Sequence, residues 1–149
     1  MKKINPNINK AKTIDSEFYY SNDIFETNKE NLFVKTWQFV CDNSKVKNTD
    51  QSYPYEFMEG FIDDPLLLTN QNGNIFSMSN VCTHRGNILI KKPCNIKNGI
   101  TCRYHGRRFN SAGEFLSMPK CEGIENFPSK KDNLQKLPCR IWKQFVFSS

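Results

Sequence analysis

Two short segments, each combining a cysteine with a histidine, constrain this chain more than any other feature of its sequence. Residues 82–86 read Cys-Thr-His-Arg-Gly, and residues 102–106 read Cys-Arg-Tyr-His-Gly. Their histidines are the only two in the 149-residue chain, so each histidine lies within three residues of a cysteine. If these side chains serve one metal centre, the fold must bring two separate loops to the same place.

The mixed pairing of ligand types favours a [2Fe–2S] cluster. The soft thiolates of Cys82 and Cys102 would bind one iron, and the imidazoles of His84 and His105 would bind the other. Two neutral imidazoles leave the oxidised cluster close to neutral, so its reduction potential is expected between roughly −150 and +300 mV. A structural zinc site is the alternative, although zinc modules usually pair Cys with Cys and His with His along the chain.

The other residues of these segments have predicted roles around the cluster. Gly86 and Gly106 are expected to let the backbone turn sharply and approach the cluster, where a Cβ would collide. The four remaining cysteines are expected to be small buried apolar residues rather than ligands. They are at positions 41, 94, 121 and 139.

The charge distribution indicates which kind of partner this protein would bind. The net charge is +6, but the Lys and Arg residues are scattered, without a basic run or helical stripe, which argues against nucleic-acid binding. A basic face near the cluster would instead steer an acidic redox partner. The candidates near the two segments are Arg85, Lys91, Lys92, Arg103, Arg107 and Arg108.

The chain shows no signal for a membrane or an export pathway. It has no apolar run near 20 residues, so no membrane span is predicted. The basic start is not followed by the apolar stretch of a signal peptide, which predicts a cytoplasmic protein. Disulfides among the six cysteines are not expected in that reducing compartment.

Hydrophobic periodicity predicts a mainly β fold with an N-terminal helix. Asp23 and Glu26 resemble a capping box, and apolar residues on one face predict a helix over 23–36. Asn72-Gly73 predicts a tight hairpin turn. We therefore expect a helical arm at 1–36 and a small antiparallel β sandwich or barrel at 37–149. The predicted strands are 37–41, 55–62, 66–69, 75–81, 88–90, 107–110, 140–142 and 144–147.

The two segments and their surroundings resemble the Rieske domain of ring-hydroxylating oxygenase large subunits, a pattern shared by glycine betaine and choline monooxygenases. The resemblance covers about residues 18–147, and the two loops are its specific part. Arg107 stands where that family usually has Trp, and Gln144 where it often has Gly. The matching pattern is Cys82-x-His84-Arg85-Gly86-x-x-Leu89, then Cys102-x-Tyr104-His105-Gly106-x-x-Phe109-x-x-x-Gly113-x-Phe115-x-x-x-Pro119.

The resemblance also separates this chain from a second Rieske subclass. Rieske proteins of respiratory cytochrome complexes carry an extra, disulfide-paired Cys in each loop. The corresponding residues here are Asn87 and Arg107. The oxygenase or ferredoxin type, with its lower potential, is therefore favoured.

The resemblance implies a function in electron transfer. A reductase or ferredoxin would reduce the cluster, which would pass electrons to a mononuclear iron in an oxygenase catalytic domain or a neighbouring subunit, often in a trimer. A mononuclear oxygenase iron needs two histidines and a carboxylate. Both histidines are assigned to the cluster, so we expect no catalytic residue for oxygenation here and infer a truncated or split large subunit, or a fragment of its N-terminal part. The alternative is a free-standing Rieske ferredoxin-like carrier.

Overall fold

The computed structural model describes residues 3–149 and shows a mainly β chain, as the sequence predicts. Within these residues there are eleven strands, one α-helix and several short 3₁₀ turns. The α-helix is α1 (Asn22–Asn31). The strands are β1 (Gln38–Asp42), β2 (Gln51–Phe57), β3 (Asp64–Gln71), β4 (Asn74–Ser79), β5 (Cys94–Asn95), β6 (Ile100–Thr101), β7 (Arg108–Phe109), β8 (Phe115–Ser117), β9 (Lys136–Leu137), β10 (Cys139–Trp142) and β11 (Phe145–Ser148).

The predicted helix exists but is shorter, and its cap differs. Its N-cap is Ser21, whose hydroxyl accepts a hydrogen bond from the amide of Ile24 at 3.4 Å. Asp23 therefore lies in the first turn, and the Asp23/Glu26 capping box was wrong. The helix ends at Asn31, since the chain then turns into a 3₁₀ segment at Phe33–Lys35. Apolar spacing did not reveal this change of hydrogen bonding.

The strands form three antiparallel sheets rather than the closed barrel allowed by the sequence. One sheet has the order β1-β11-β10, the second β5-β2-β3-β4-β9, and the third β6-β7-β8. The third sheet is built from strands of two or three residues. Such strands are too short to show the alternation that marks a strand in sequence, and β5, β6, β8 and β9 were missed for this reason.

The hairpin between β3 and β4 has the predicted turn. Asn72 and Gly73 have φ of +53° and +88°, which a two-residue turn of this type requires at both positions. Gln71 pairs with Asn74 directly beside the turn. The local preference of Asn-Gly therefore set the register of β3 and β4.

Residues 58–62 of one predicted strand, and the whole of the predicted strand 88–90, are turns or loops instead. Met58 has a φ of +54°, and its carbonyl accepts hydrogen bonds from the amides of Phe61 and Ile62, so β2 ends at Phe57. The segment 88–90 makes one isolated bridge, from Ile88 to Val81. Apolar residues occur in both segments, but backbone turns interrupt their pairing.

By its internal contacts the chain divides into two compact units, Met1–Thr36 and Trp37–Ser149. The second unit contains two buried apolar clusters. The larger joins the five-stranded sheet, called the central sheet below, to the loops that follow it, with Phe109, Met78 and Leu67 fully buried. Cys82 and Cys102 belong to this cluster. The candidate site therefore sits on a packed core.

No helix within residues 3–149 is long and apolar enough to cross a lipid bilayer.

Candidate metal centre

The two cysteine–histidine segments fold into loops of the same form. In the first loop, the amide of Cys82 donates to the carbonyl of Asn87 at 2.9 Å. In the second, the amide of Cys102 donates to the carbonyl of Arg107 at 2.8 Å. The first loop therefore runs from Cys82 to Asn87 and the second from Cys102 to Arg107, each closed at its base.

A glycine makes the sharp turn inside each loop. Gly86 and Gly106 have φ of +68° and +73°, and their amides donate to the carbonyls of Cys82 and Cys102, both at 3.0 Å. A Cβ at Gly106 would lie 3.1 Å from the ring of Pro119, whereas a Cβ at Gly86 would meet no protein atom within 4 Å. Backbone conformation is thus the shared requirement, and protein crowding applies only to Gly106.

The paired loops bring together all four predicted ligands. The thiols of Cys82 and Cys102 lie close enough for each to shift the pKa of the other, and both residues are 2% exposed. The rings of His84 and His105 lie edge to face, with centroids 4.8 Å apart. Both histidines are partly exposed. The thiols therefore lie on the core side of the site and the imidazoles nearer its surface.

The electrostatics differ between the two thiols. Burial raises the pKa of Cys82 above its ordinary value. Burial also acts to raise the pKa of Cys102, but hydrogen bonds from the amides of Tyr104 and His105 and from the Cys82 thiol outweigh it, so that pKa is lowered. The hydrogen bonds to the Cys102 sulfur thus favour its thiolate, the form that binds metal.

Each histidine ring has one feature that suits a metal ligand. Desolvation, followed by the neighbouring His105 and the charge of Arg107, lowers the pKa of His84, so its neutral ring is favoured. The Nδ1 atom of His105 is buried and has no hydrogen-bond partner in the described structure. An unpartnered buried nitrogen is costly, and a metal bond would satisfy it.

The donor set fits a two-iron cluster. Among residues 3–149, no three His, Cys, Asp or Glu side chains are arranged to hold one metal ion. A Rieske cluster asks for only two protein ligands at each iron. The amide of the Asn87 side chain also points a donor at the Cys102 sulfur, 3.7 Å away. Such outer donors to sulfur help set the reduction potential of a bound cluster.

The structure corrects the predicted surface role of Arg107. This residue is 5% exposed and cannot dock a partner. Its Nη1 donates to Thr83 Oγ1 at 2.7 Å and lies 3.3 Å from Asp132 Oδ1. Sequence reasoning missed this network, since Thr83 and Asp132 lie 24 and 25 residues away along the chain.

The other basic candidates are exposed. Lys91, Lys92 and Arg103 line a groove of about 770 Å³ that also includes Asn87 of the first loop. Arg85 and Arg108 are exposed as well. The chain therefore presents positive charge beside the site.

The four remaining cysteines vary in burial, and all six cysteines in the described part of the chain are free thiols. Cys41 is buried as expected, and desolvation raises its pKa to about 11. Cys121 and Cys139 are partly buried. Cys94 is exposed, so its predicted burial was wrong; its short strand lies at the edge of the central sheet.

Comparison with known proteins places these features in a family. The Rieske [2Fe-2S] domain family matches residues 36–128. The oxygenase subunit of carnitine monooxygenase from Escherichia coli (strain K12) is 33% identical over 141 residues, covering 95% of this chain and 37% of that subunit. The large oxygenase component of naphthalene 1,2-dioxygenase from Ralstonia sp. is 25% identical over 118 residues, covering 71% of this chain and 26% of that component.

Solved structures agree with the sequence matches. The apo form of a quaternary ammonium Rieske monooxygenase has a TM-score of 0.82 at 27% identity, covering 93% of this chain and 40% of that one. Naphthalene 1,2-dioxygenase with bound indole has a TM-score of 0.71 at 25% identity, covering 85% of this chain and 28% of that one. The chain thus spans less than half the length of these relatives. These relatives favour the oxygenase type over a free-standing ferredoxin. The chain belongs to the Rieske [2Fe-2S] domain family, in the form found in oxygenase large subunits.

Proposed function

We propose that Cys82 and Cys102 bind one iron of the [2Fe–2S] cluster, that His84 and His105 bind the other, and that the domain carries single electrons for an oxygenase. The observation that carries this assignment is the convergence of both histidines and two buried thiols on paired loops. When bound, such a cluster takes up or releases one electron at a time.

The chain's own residues would prepare the site for this task. The loop amides at Tyr104 and His105 donate to the Cys102 sulfur, which stabilises its anionic form. Burial of both thiols keeps water from the sulfur side. The partly exposed imidazoles of His84 and His105 lie on the side from which a partner would approach, so electrons would enter and leave there.

The test is to purify the protein without oxygen and measure iron, acid-labile sulfide and the EPR spectrum after reduction. We expect two irons, two sulfides and a rhombic signal. Cys82→Ser or Cys102→Ser should abolish assembly, since a hard hydroxyl replaces a soft thiolate. Cys94→Ser is the matched control, because it makes the same chemical change at an exposed thiol outside the loops. Stoichiometric zinc without labile sulfide, or loss of the cluster in the control, would contradict the assignment.

We further propose that the electron donor is an acidic reductase or ferredoxin. The exposed Lys91, Lys92 and Arg103 beside the first loop support this, because a positive groove raises the encounter rate with a negative partner. Arg85 and Arg108 extend the positive surface. Arg107 has no part in this surface.

The proposed recipient of the electrons is a mononuclear iron outside residues 1–149. A solved quaternary ammonium Rieske monooxygenase is described in terms of inter-subunit electron transfer, which supports a recipient on another subunit, for example within a trimer. We propose that residues 1–36 form an arm and that residues 37–149 form the Rieske domain.

The free thiols support a reducing, cytoplasmic location.

A further inference from the structure

The guanidinium of Arg107 is a buried charge that contacts the first loop from the second. It donates to Thr83 Oγ1 at 2.7 Å and pairs with Asp132 Oδ1 at 3.3 Å. The rings of Phe115 and Phe127 lie 5.3 and 5.4 Å from its central carbon. An arginine that is 5% exposed and held by aromatic faces on its apolar sides has a fixed position.

Arg107 connects the two loops through both its backbone and its side chain. Its carbonyl accepts the amide of Cys102, which closes the second loop. Its side chain holds Thr83, the residue between Cys82 and His84 in the first loop. Thr83 Oγ1 also donates to the carbonyl of Asp132 at 2.8 Å, so this hydroxyl is fixed from both sides.

Asp132, the ion-pair partner of Arg107, also accepts hydrogen bonds from a second residue. The other carboxylate oxygen of Asp132 accepts from the amide of Ser129 at 2.8 Å and from its hydroxyl at 3.0 Å. The negative charge of Asp132 is thus shared with those donors, while the Nε of Arg107 is buried without a hydrogen-bond partner in the described structure. Water screens a buried charge weakly, so its field reaches the adjacent loops.

We propose that Arg107 is a positioning residue for the cluster, clamping the two loops together, and that its buried charge favours uptake of the electron. The inference rests on the proposed function, since it needs a cluster held by these loops. A fixed positive charge stabilises the more negative, reduced state more than the oxidised state. Arg107, which its place in the sequence suggested for partner docking, instead acts inside the domain.

The charge is tested by comparing Arg107→Gln with Arg108→Gln in the protein carrying its cluster. Arg108 is the matched control, because it is the neighbouring arginine, loses the same charge and is exposed. We expect Arg107→Gln to lower the reduction potential clearly and Arg108→Gln to change it little. If Arg107→Gln does not retain a cluster, that loss supports the clamp, and Asp132→Asn then decides the charge effect: removing the counter-charge should raise the potential. Equal shifts in the two arginine variants, or an Asp132→Asn potential that is unchanged or lower, would overturn the charge effect.

The clamp is tested by substituting Thr83, because these variants retain the charge of Arg107. Thr83→Val removes the hydroxyl at nearly constant shape, and Thr83→Ser keeps it. We expect Thr83→Val to broaden the EPR lines of the reduced protein and to speed iron loss to a chelator, with Thr83→Ser restoring both. Indistinguishable Val and Ser variants would overturn the clamp. Iron, sulfide and EPR of the unaltered protein test the proposed function separately, so a cluster that is present but insensitive to these changes refutes this inference alone.

Discussion

Replacing the two loop glycines by alanine should destabilise the domain unequally, although the loops have the same form. Gly86 and Gly106 both have positive φ, and a Cβ in that conformation costs about 1–2 kcal/mol. The alanine also restricts the unfolded chain, which offsets about 0.4–1 kcal/mol. Gly86→Ala should therefore reduce the free energy of unfolding by up to about 1.6 kcal/mol.

Gly106→Ala carries a further steric cost. Its Cβ would lie 3.1 and 3.2 Å from two ring carbons of Pro119, closer than an ordinary carbon contact. The Pro119 ring is rigid, so the loop itself must shift. Overpacking of this kind costs about 1–3 kcal/mol. The Gly106→Ala variant should thus be less stable than Gly86→Ala by that amount.

The assay is thermal unfolding of the cluster-bearing proteins without oxygen, followed by circular dichroism at one scan rate. For a chain of this size, 1 kcal/mol corresponds to about 4 °C in Tm, so the two variants should differ by about 4–12 °C. Gly73→Ala is the control, because it has a φ of +88°, open surroundings and a place in the hairpin turn. It should melt close to Gly86→Ala. If Gly86→Ala costs as much as Gly106→Ala, the contact with Pro119 is not the cause and this reasoning fails.

Three further predictions concern electron transfer. His84→Cys should lower the reduction potential of any cluster that still assembles, because an anionic ligand replaces a neutral one; redox titration followed by EPR measures this, and an unchanged or raised potential would contradict the charge argument. The rate of reduction by an acidic ferredoxin should fall as salt rises, and Lys91→Gln/Lys92→Gln should weaken that dependence; stopped-flow traces indifferent to ionic strength would leave these lysines as ordinary solvated charges. Given reductase, NADH, O₂ and ferrous iron, the 149-residue chain should be reduced without forming hydroxylated product, since its two histidines are assigned to the cluster; stoichiometric hydroxylation would require an iron site without histidine and would refute that assignment.

The candidate site could be located from the sequence because its ligands lie close together along the chain. A thiolate and an imidazole two or three residues apart can reach the same cluster from one short loop, so the ligand types and their spacing are visible in the linear pattern. Asn72-Gly73 is local in the same way, because two adjacent residues that tolerate positive φ define the turn. The mainly β fold followed from turn residues between short apolar runs.

Other features depend on contacts between residues that are distant in the chain, and only the tertiary structure decided them. The strands of the third sheet are too short for a periodic pattern, and they exist because their neighbours pair with them. Cys94 is exposed because its strand lies at a sheet edge. Neither feature follows from propensity, since packing partners determine both.

Arg107 shows most clearly the difference between what the sequence determines and what the tertiary structure decides. The sequence presents it as one more basic residue after the second loop, where a solvated charge is the ordinary expectation. Thr83, Asp132 and two phenylalanine rings, brought together only by the fold, bury its guanidinium and give it partners. The sequence by itself therefore determined which side chains could hold the cluster, because that chemistry is short-range. Only the tertiary structure decided which charge lies buried beside them, because desolvation depends on everything that packs around a group.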